Sequence, residues 1–213
     1  MIEEVEVFTL PNAEVVYFYP GDHRYVIGEN GKEVPSITQL IKEVYGNSYQ
    51  FVKPDVLQRA AEYGTKVHSM LDELIQLRTV GIDISAQLEG ETPQEVRNYF
   101  NKVEPLYNIV PVKTEQVVVL YNSKGDPIAA GRFDILCKVD GNLTLADFKT
   151  TSTIMKQSVT AQLNLYLKAA VQSGYLDSEE DVDLGVIHLS GSTAKYNPVT
   201  KMGEGFYKKF IKD

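Results

Sequence analysis

The stretch Ile128-Ala-Ala-Gly-Arg-Phe-Asp-Ile-Leu-Cys-Lys-Val139, with Asp140-Gly141 and Asn142-Leu-Thr-Leu-Ala-Asp-Phe-Lys149 after it, decides the fold of this chain. Both flanks are strand-like, the first with apolar and polar residues in period two, and Asp-Gly between them is a strong signal for a two-residue hairpin turn. The sequence therefore predicts an antiparallel hairpin whose pairing starts with Val139 opposite Asn142.

This register places two pairs of like charges across the hairpin, Asp134 opposite Asp147 and Arg132 opposite Lys149. Like charges that face each other on a sheet are destabilising, so folding alone would not favour them. A divalent cation between the carboxylates would reverse the repulsion, since Mg²⁺ is commonly bound by carboxylates, water and substrate phosphate. We interpret the two acids as candidate metal ligands and Lys149 as a cation for a phosphate or an attacking water. A solvated polar face with a coincidental register is the alternative.

Two further segments carry polar residues at helical spacing. His68 lies on the apolar face of an amphipathic helix over residues 57–75, and Gly64 indicates that another backbone approaches this helix closely. A lone inward-facing histidine is more often a core residue than a ligand, so both roles stay open on this pattern. Gln162 and Tyr166 lie on one face of a second helix, where they could contact a phosphate or support the metal ligands. A half-buried tyrosine beside a polar residue is the simpler alternative.

These segments, taken in order, resemble the motifs of a known family. Gly131-Arg-Phe-Asp134 followed by Asp147-Phe-Lys149 resembles the central signature of the PD-(D/E)XK nuclease superfamily. Gly64-Thr-Lys-Val-His68 and Gln162-Leu-Asn-Leu-Tyr166 resemble the GxxxH and QxxxY helix motifs of its RecB-like branch, which includes phage-type exonucleases. Each motif is weak by itself, but the ordered set is specific.

The resemblance implies a restriction-endonuclease-like core and an active site that binds Mg²⁺ or Mn²⁺. The metal ligands that it implies are His68, Asp134, Asp147 and the backbone carbonyl oxygen of Phe148. Glu115, which begins a strand-like segment, resembles the upstream acid of many members. The catalytic residues implied are Lys149, Asp134, Asp147 and Glu115. The residues expected to bind substrate are Gln162, Tyr166, Arg132, Thr150 and Thr151.

The function that the resemblance implies is metal-dependent hydrolysis of DNA phosphodiesters. An exonuclease acting on single strands or DNA ends, in recombination, repair or phage DNA processing, is favoured over an endonuclease. A non-catalytic nucleic-acid-binding or assembly module that retains the fold is the alternative from another class, and a sugar or nucleotide hydrolase is more distant. The expected partner is DNA. The sequence has no GxxxxGK[ST] phosphate loop, so a helicase or recombination protein would be a separate chain.

Composition bounds the class of protein. The 213 residues, 43% hydrophobic and 23% charged, suffice for one core, so we expect residues 1–213 to form a single domain. No apolar run reaches membrane-spanning length and the N-terminus is acidic, which favours cytoplasmic residence without membrane contact. Cys137 is the only cysteine, which excludes an internal disulfide and argues against an iron–sulfur cluster.

The formal net charge of −8 opposes DNA binding, because phosphate contacts usually need lysine and arginine. Several acids, however, belong to the predicted metal site, and others cluster in segment 177–183. The basic residues expected near the site are Lys149, Lys156, Arg132 and Lys66. Because the local field matters more than net charge, we expect a narrow, salt-sensitive DNA groove.

Residues 1–33 predict a small N-terminal β appendage, with Asn30-Gly31 as a turn. Its expected strands are Val5–Leu10, Glu14–Tyr19 and Arg24–Gly28. The segment that follows, residues 34–44, predicts a helix capped at Ser36.

The rest of the chain completes an α/β fold. A helix with a capping box begins at Thr92-Pro-Gln-Glu95, residues 182–190 predict a core strand, and Lys195–Pro198 should return to the surface. The sequence therefore predicts a central mixed sheet flanked by the His68 helix and the Gln162 helix.

Overall fold

The computed structural model describes residues 4–29, 31–46 and 52–211. The strands are β1 (Glu6–Thr9), β2 (Val15–Tyr19), β3 (Arg24–Ile27), β4 (Lys32–Val34), β5 (Val110–Tyr121), β6 (Pro127–Val139), β7 (Asn142–Lys149), β8 (Asp183–Ser190) and β9 (Thr193–Val199). The helices are α1 (Ile37–Tyr45), α2 (Pro54–Thr79), α3 (Gln94–Asn98), α4 (Glu104–Leu106), α5 (Lys156–Gln172) and α6 (Glu204–Tyr207). A 3₁₀ turn covers Ala86–Leu88, and a π-helical turn over Tyr99–Val103 joins α3 to α4.

The hairpin lies at the centre of a five-stranded sheet with the order β5-β6-β7-β8-β9. Neighbouring strands are antiparallel except for β7 and β8, which run parallel. A parallel pair needs a long crossover, which α5 provides between the two strands. The predicted α/β class, with a central mixed sheet flanked by helices, is confirmed.

The hairpin register is as predicted over its inner part. Val139 lies opposite Asn142, and the ladder continues in step to Ile135 opposite Ala146. Both residues of the turn have positive φ, which a type I′ turn requires and an Asp-Gly pair tolerates. Period-two alternation in the first strand also predicts an apolar face that packs into the core, and its four residues are all buried, namely Phe133, Ile135, Cys137 and Val139.

Beyond that point the predicted opposition of like charges is not formed as ladder pairs. The carboxylate of Asp134 accepts the backbone N–H of Phe148 at 2.7 Å, so a side chain bridges β6 and β7 where the ladder has ended. Asp147 and Lys149 pair with β8, and Arg132 pairs with β5.

Different helices cover the two faces of the sheet. α1 and α5 pack on the face that contains Leu145, and α2 and α3 pack on the face that contains Ile135 and Phe148. Phe133 packs in the same buried cluster as Leu145. Period-two alternation would instead place Phe133 on the same face as Ile135. The alternation of β6 therefore breaks at the residue between them, Asp134.

The N-terminal residues form a second, antiparallel sheet with the order β1-β2-β3-β4. Its three predicted strands are confirmed, and β4 is a strand that the sequence analysis missed. Asn30, the first residue of the predicted turn, lies outside the described residues. The sheet shares a buried cluster with Val117, Val119 and Ala130 of β5 and β6, so it is packed on the central sheet rather than appended to it.

The predicted helix caps had different outcomes. Ser36 caps α1 as predicted, and the structure adds a reciprocal capping box with Gln39. The capping box at the third helix is wrong, because the Thr92 hydroxyl donates to the carbonyls of Gln87 and Glu89 instead. The preceding 3₁₀ turn brings these carbonyls within its reach. Within the described ranges, none of the helices has the length and apolar character to cross a membrane.

The segment Lys195–Pro198 was predicted to return to the surface, and its end residues Lys195 and Pro198 are exposed. It belongs to β9, which pairs with the predicted core strand β8. A Cβ on Gly185 of β8 would lie 2.1 Å from the Tyr196 ring, so this glycine leaves room for the aromatic side chain. The half-exposed edge position of β9 explains why its sequence lacks a strong apolar pattern.

Candidate functional site

A cavity of 860 Å³ opens where α1 and α2 meet the middle of β5 and β6 and the C-terminal end of β7. The predicted site residues that line it are His68, Glu115, Arg132, Asp134, Lys149, Thr150 and Thr151. Segments far apart in the sequence therefore converge on one open site. We call this candidate active site the catalytic cavity below.

The position of α2 determines how the histidine is presented. The C-terminal half of this helix packs on the sheet through Val67 and Leu71, both fully buried. The i, i+3, i+4 pattern of the predicted helix also places Ala60 and Ala61 on its apolar face, but both are exposed and line the cavity. The apolar stripe thus packs into the core only from Val67 onward. His68 lies at this transition, with its ring in the cavity wall.

His68, Glu115 and Asp134 each offer one ligand atom, and these atoms all lie within 4.8 Å of one another. They come from α2, β5 and β6 respectively, and the ladder pairs on either side set Glu115 across from Asp134. A nitrogen and two carboxylate oxygens suit a divalent ion such as Mn²⁺, and the carboxylates also suit Mg²⁺. The three residues, which we call the acid–histidine triad, therefore fit a divalent metal.

Electrostatic attraction joins His68 to Asp134. Nδ1 of His68 lies 3.5 Å from the Asp134 oxygen that accepts the Phe148 N–H, and the Phe148 ring meets the imidazole edge to face. Burial disfavours the charged imidazole, but the Asp134 carboxylate outweighs it and raises the pKa of His68 to about 9. Burial likewise opposes ionisation of Asp134, yet the His68 charge holds the pKa of that carboxyl below its ordinary value. The two groups therefore form an ion pair at neutral pH.

Glu115 is held in a costly conformation at this site. Its φ is 50°, in the left-handed region that residues other than glycine, asparagine and aspartate rarely adopt. Burial and the neighbouring charge of Asp134 raise the pKa of Glu115 to about 8. A bound cation would allow Glu115 to ionise, because it would offset the repulsion that its carboxylate then meets from Asp134.

Lys149 lies beside the triad and is held by two neighbours. Its Nζ forms an ion pair with Asp147 at 2.6 Å and donates to the Gln162 side chain at 3.2 Å. Burial raises the pKa of Asp147 to about 6, although the Lys149 charge acts against the rise. Asp147, implied as a metal ligand, is thus paired with the lysine. The candidate ligands that the structure brings together include Glu115 and not Asp147.

The QxxxY residues lie behind Lys149 on α5. Gln162 accepts from the lysine and is hydrogen-bonded to the Tyr166 hydroxyl. Tyr166 is only 5% exposed, and burial raises the pKa of its hydroxyl well above the ordinary value. This burial favours a supporting role over direct contact with a phosphate.

Three residues expected to contact substrate line the cavity, namely Arg132, Thr150 and Thr151. The guanidinium of Arg132 forms an ion pair with Glu6 at 2.9 Å, which compensates part of its charge. Nε2 of His188, on β8, lies 2.7 Å from the Thr151 carbonyl oxygen and anchors the turn after β7. The carbonyl oxygen of Phe148 stays a predicted ligand.

The sequence analysis missed Thr38, Lys42 and Asp72, which also line the cavity. Asp72 follows His68 by one helical turn on α2, so its spacing was a usable signal. No motif marks the two residues of α1, which reach the cavity through tertiary packing. Lys66, expected near the site, lies outside the described lining of this cavity.

The two motif glycines have different surroundings. A Cβ on Gly131 would lie 2.8 Å from the ring of Tyr166, closer than real contacts allow. A Cβ on Gly64 would meet the Thr150 hydroxyl at 3.5 Å, an ordinary contact. The close backbone approach predicted at Gly64 is therefore wrong, whereas Gly131 leaves room for a core tyrosine.

Alanine substitutions at these glycines should have opposite effects on stability. We expect Gly64→Ala to raise the free energy of unfolding by up to about 1 kcal/mol, because alanine favours a helix interior. Gly131→Ala should lower it by about 1–3 kcal/mol through overpacking against Tyr166. Urea unfolding measures both values. If both substitutions raised the free energy of unfolding, or both lowered it, the different surroundings described for these two glycines would be wrong.

Metal binding should displace protons from the triad. Ligands must be deprotonated, whereas His68 and Glu115, with pKa values of about 9 and about 8, are protonated at pH 7 without metal. We expect Mn²⁺ binding at pH 7 to release about two protons. The Mn²⁺ affinity should therefore keep increasing as the pH rises toward 9. If the histidine had its ordinary pKa of about 6.5, the affinity would stop increasing near that pH.

Calorimetric titration with Mn²⁺ at pH 7, in two buffers of different ionisation enthalpy, measures this release. Glu115→Gln should bind more weakly and release one proton fewer, whereas Glu89→Gln, the same change at an exposed residue outside the lining of the cavity, should match the wild type. Binding with no proton release would contradict the assignment of these ligands.

Comparisons with known proteins leave the family open. No family model matches the chain, and no curated protein matches it. Among solved structures, the crystal structure of SSO0001 is 15% identical and covers 79% of each chain, with a TM-score of 0.33. This likeness is too weak to support a conclusion about fold family or function.

Proposed function

We propose that this chain is a divalent-metal-dependent deoxyribonuclease with a PD-(D/E)XK core of the RecB-like type. The observation that carries the proposal is the convergence of His68, Glu115 and Asp134 within 4.8 Å, at a cavity that Lys149 also lines. The raised pKa values of His68 and Glu115 mark a site where folding has gathered ionisable groups at a cost.

The side chains around the site have separate roles in this reaction. A divalent cation held by His68, Glu115 and Asp134 would lower the pKa of a water and neutralise charge on a DNA phosphodiester. Lys149 directs a compact positive charge toward the phosphate oxygens on which negative charge develops. Asp147 and Gln162 limit the motion of its ammonium, which preorganises it.

The same arrangement supports expectations about metal and substrate. Because imidazole suits transition metals better than Mg²⁺, His68 favours Mn²⁺ over Mg²⁺. We favour an exonuclease that acts on single strands or DNA ends in recombination, repair or phage DNA processing, because the helix motifs resemble the RecB-like branch. DNA is therefore the proposed partner, with any helicase on a separate chain.

Incubation with end-labelled single- and double-stranded DNA, with Mn²⁺, with Mg²⁺ and with chelator, tests the proposal. We expect metal-dependent cleavage with products that shorten stepwise from one end. Fragments of internal length from the start would indicate an endonuclease. Absence of cleavage with either metal, in protein that binds the DNA, would favour the non-catalytic module.

A further inference from the structure

A second cleft lies beyond the catalytic cavity, at the C-terminal end of α1. This helix contributes Thr38 and Lys42 to the cavity and Tyr45 to the cleft. The three residues follow the i, i+4, i+7 spacing, so they form one stripe about 10 Å long on the helix surface. A short segment of chain also leads from Lys149 in the cavity to Lys156 in the cleft. The two openings are therefore linked by one helix face and by one short connecting segment.

The lining of the cleft combines positive charge with aromatic rings. Its volume is 660 Å³, and it is lined by Lys156 and Lys209 together with Tyr45 and Phe206. Both rings contact Phe210, at centroid distances of 5.6 Å and 5.1 Å, which fixes them in the wall. Ammonium groups bind phosphates, and ring faces stack with bases of any identity.

The charge of this cleft contrasts with that of the whole chain. The net charge is −8, yet the charged side chains among the described residues that line the cleft are lysines. Glu204, an acid close in sequence, forms an ion pair with Lys168 at 3.5 Å. The local field therefore suits an anionic ligand, and the volume falls within the range of small-ligand sites.

We propose that this cleft binds the backbone and bases of a single nucleic-acid strand whose scissile phosphate lies in the catalytic cavity. The inference rests on the proposed nuclease function and adds a second, non-catalytic contact to it. The stripe from Thr38 to Tyr45 leads the strand from one opening to the other. Lys156, expected at the catalytic site, acts at this second contact.

Binding of fluorescein-labelled oligothymidine, measured by anisotropy without divalent metal at several salt concentrations, tests the cleft separately from cleavage. Lys156→Ala with Lys209→Ala should reduce the slope of log affinity against log salt by about 1.4, since each phosphate contact to a single strand contributes about 0.7. Tyr45→Leu with Phe206→Leu, which keeps apolar packing but removes the ring faces, should weaken binding by about 5- to 100-fold.

Lys138→Ala with Lys195→Ala removes the same charge from exposed positions on β6 and β9 and serves as the matched control. Wild-type affinity and slope in the cleft variants would overturn the inference, and so would an equal loss in the control. Equal displacement by duplex DNA would overturn the single-strand assignment. If the cleft variants bind the oligonucleotide more weakly but the wild type cleaves no DNA, the nuclease proposal fails and the proposal of a strand-binding cleft stands.

Discussion

Asp134→Asn is expected to abolish metal-dependent cleavage and to weaken Mn²⁺ binding by at least about 100-fold. Even residues that only support a ligand cost 10- to 100-fold in metal affinity when they are lost, and Asp134 belongs to the triad itself. The asparagine oxygen can still accept the N–H of Phe148, so the local fold should persist. Calorimetric Mn²⁺ titration and cleavage of end-labelled DNA measure the two effects.

The same substitution should change stability in a pH-dependent way without metal. The folded pKa of His68, about 9, lies above the ordinary value of 6.5, so its stabilising contribution is complete below pH 6.5 and is lost as the pH rises through 9. Asp134→Asn removes the carboxylate that causes this rise. We expect a loss of about 1.5–3 kcal/mol at pH 6 and little loss at pH 10. Urea unfolding that gives equal losses at both pH values would contradict the ion pair.

Lys149→Met is expected to lower turnover by about 10²- to 10⁴-fold while Mn²⁺ affinity stays close to that of the wild type. In the proposed reaction its ammonium acts on the phosphate, whereas the metal is held by His68, Glu115 and Asp134. Lys149→Arg should restore little activity, because a planar guanidinium does not reproduce a compact ammonium between Asp147 and Gln162. Single-turnover kinetics with Mn²⁺ in excess measure the change.

A double variant separates chemistry from folding in this experiment. Lys149→Met leaves the Asp147 carboxylate buried without its ion-pair partner, which destabilises the protein. Lys149→Met with Asp147→Asn removes both charges, so it should recover stability and still lack turnover. Near wild-type turnover of Lys149→Arg would show that positive charge is sufficient, and recovery of turnover by the double variant would remove Lys149 from the mechanism.

The sequence by itself determined the hairpin, its inner register and the class of the fold. Period-two alternation and the Asp140-Gly141 turn are local signals, because neighbouring residues alone decide whether a strand and a tight turn form. The spacing within motifs likewise identified His68, Asp134 and Lys149, all of which line the catalytic cavity.

Only the tertiary structure decided which of these residues meet. Glu115 joins His68 and Asp134 because β5 pairs with β6 and its backbone turns to positive φ, whereas Asp147 pairs with Lys149 where the hairpin ladder ends. These outcomes depend on contacts between distant segments, and local propensity carries no information about them. The same reason applies to the second cleft, since α1, α5 and the C-terminal segment form it only once all three have packed together.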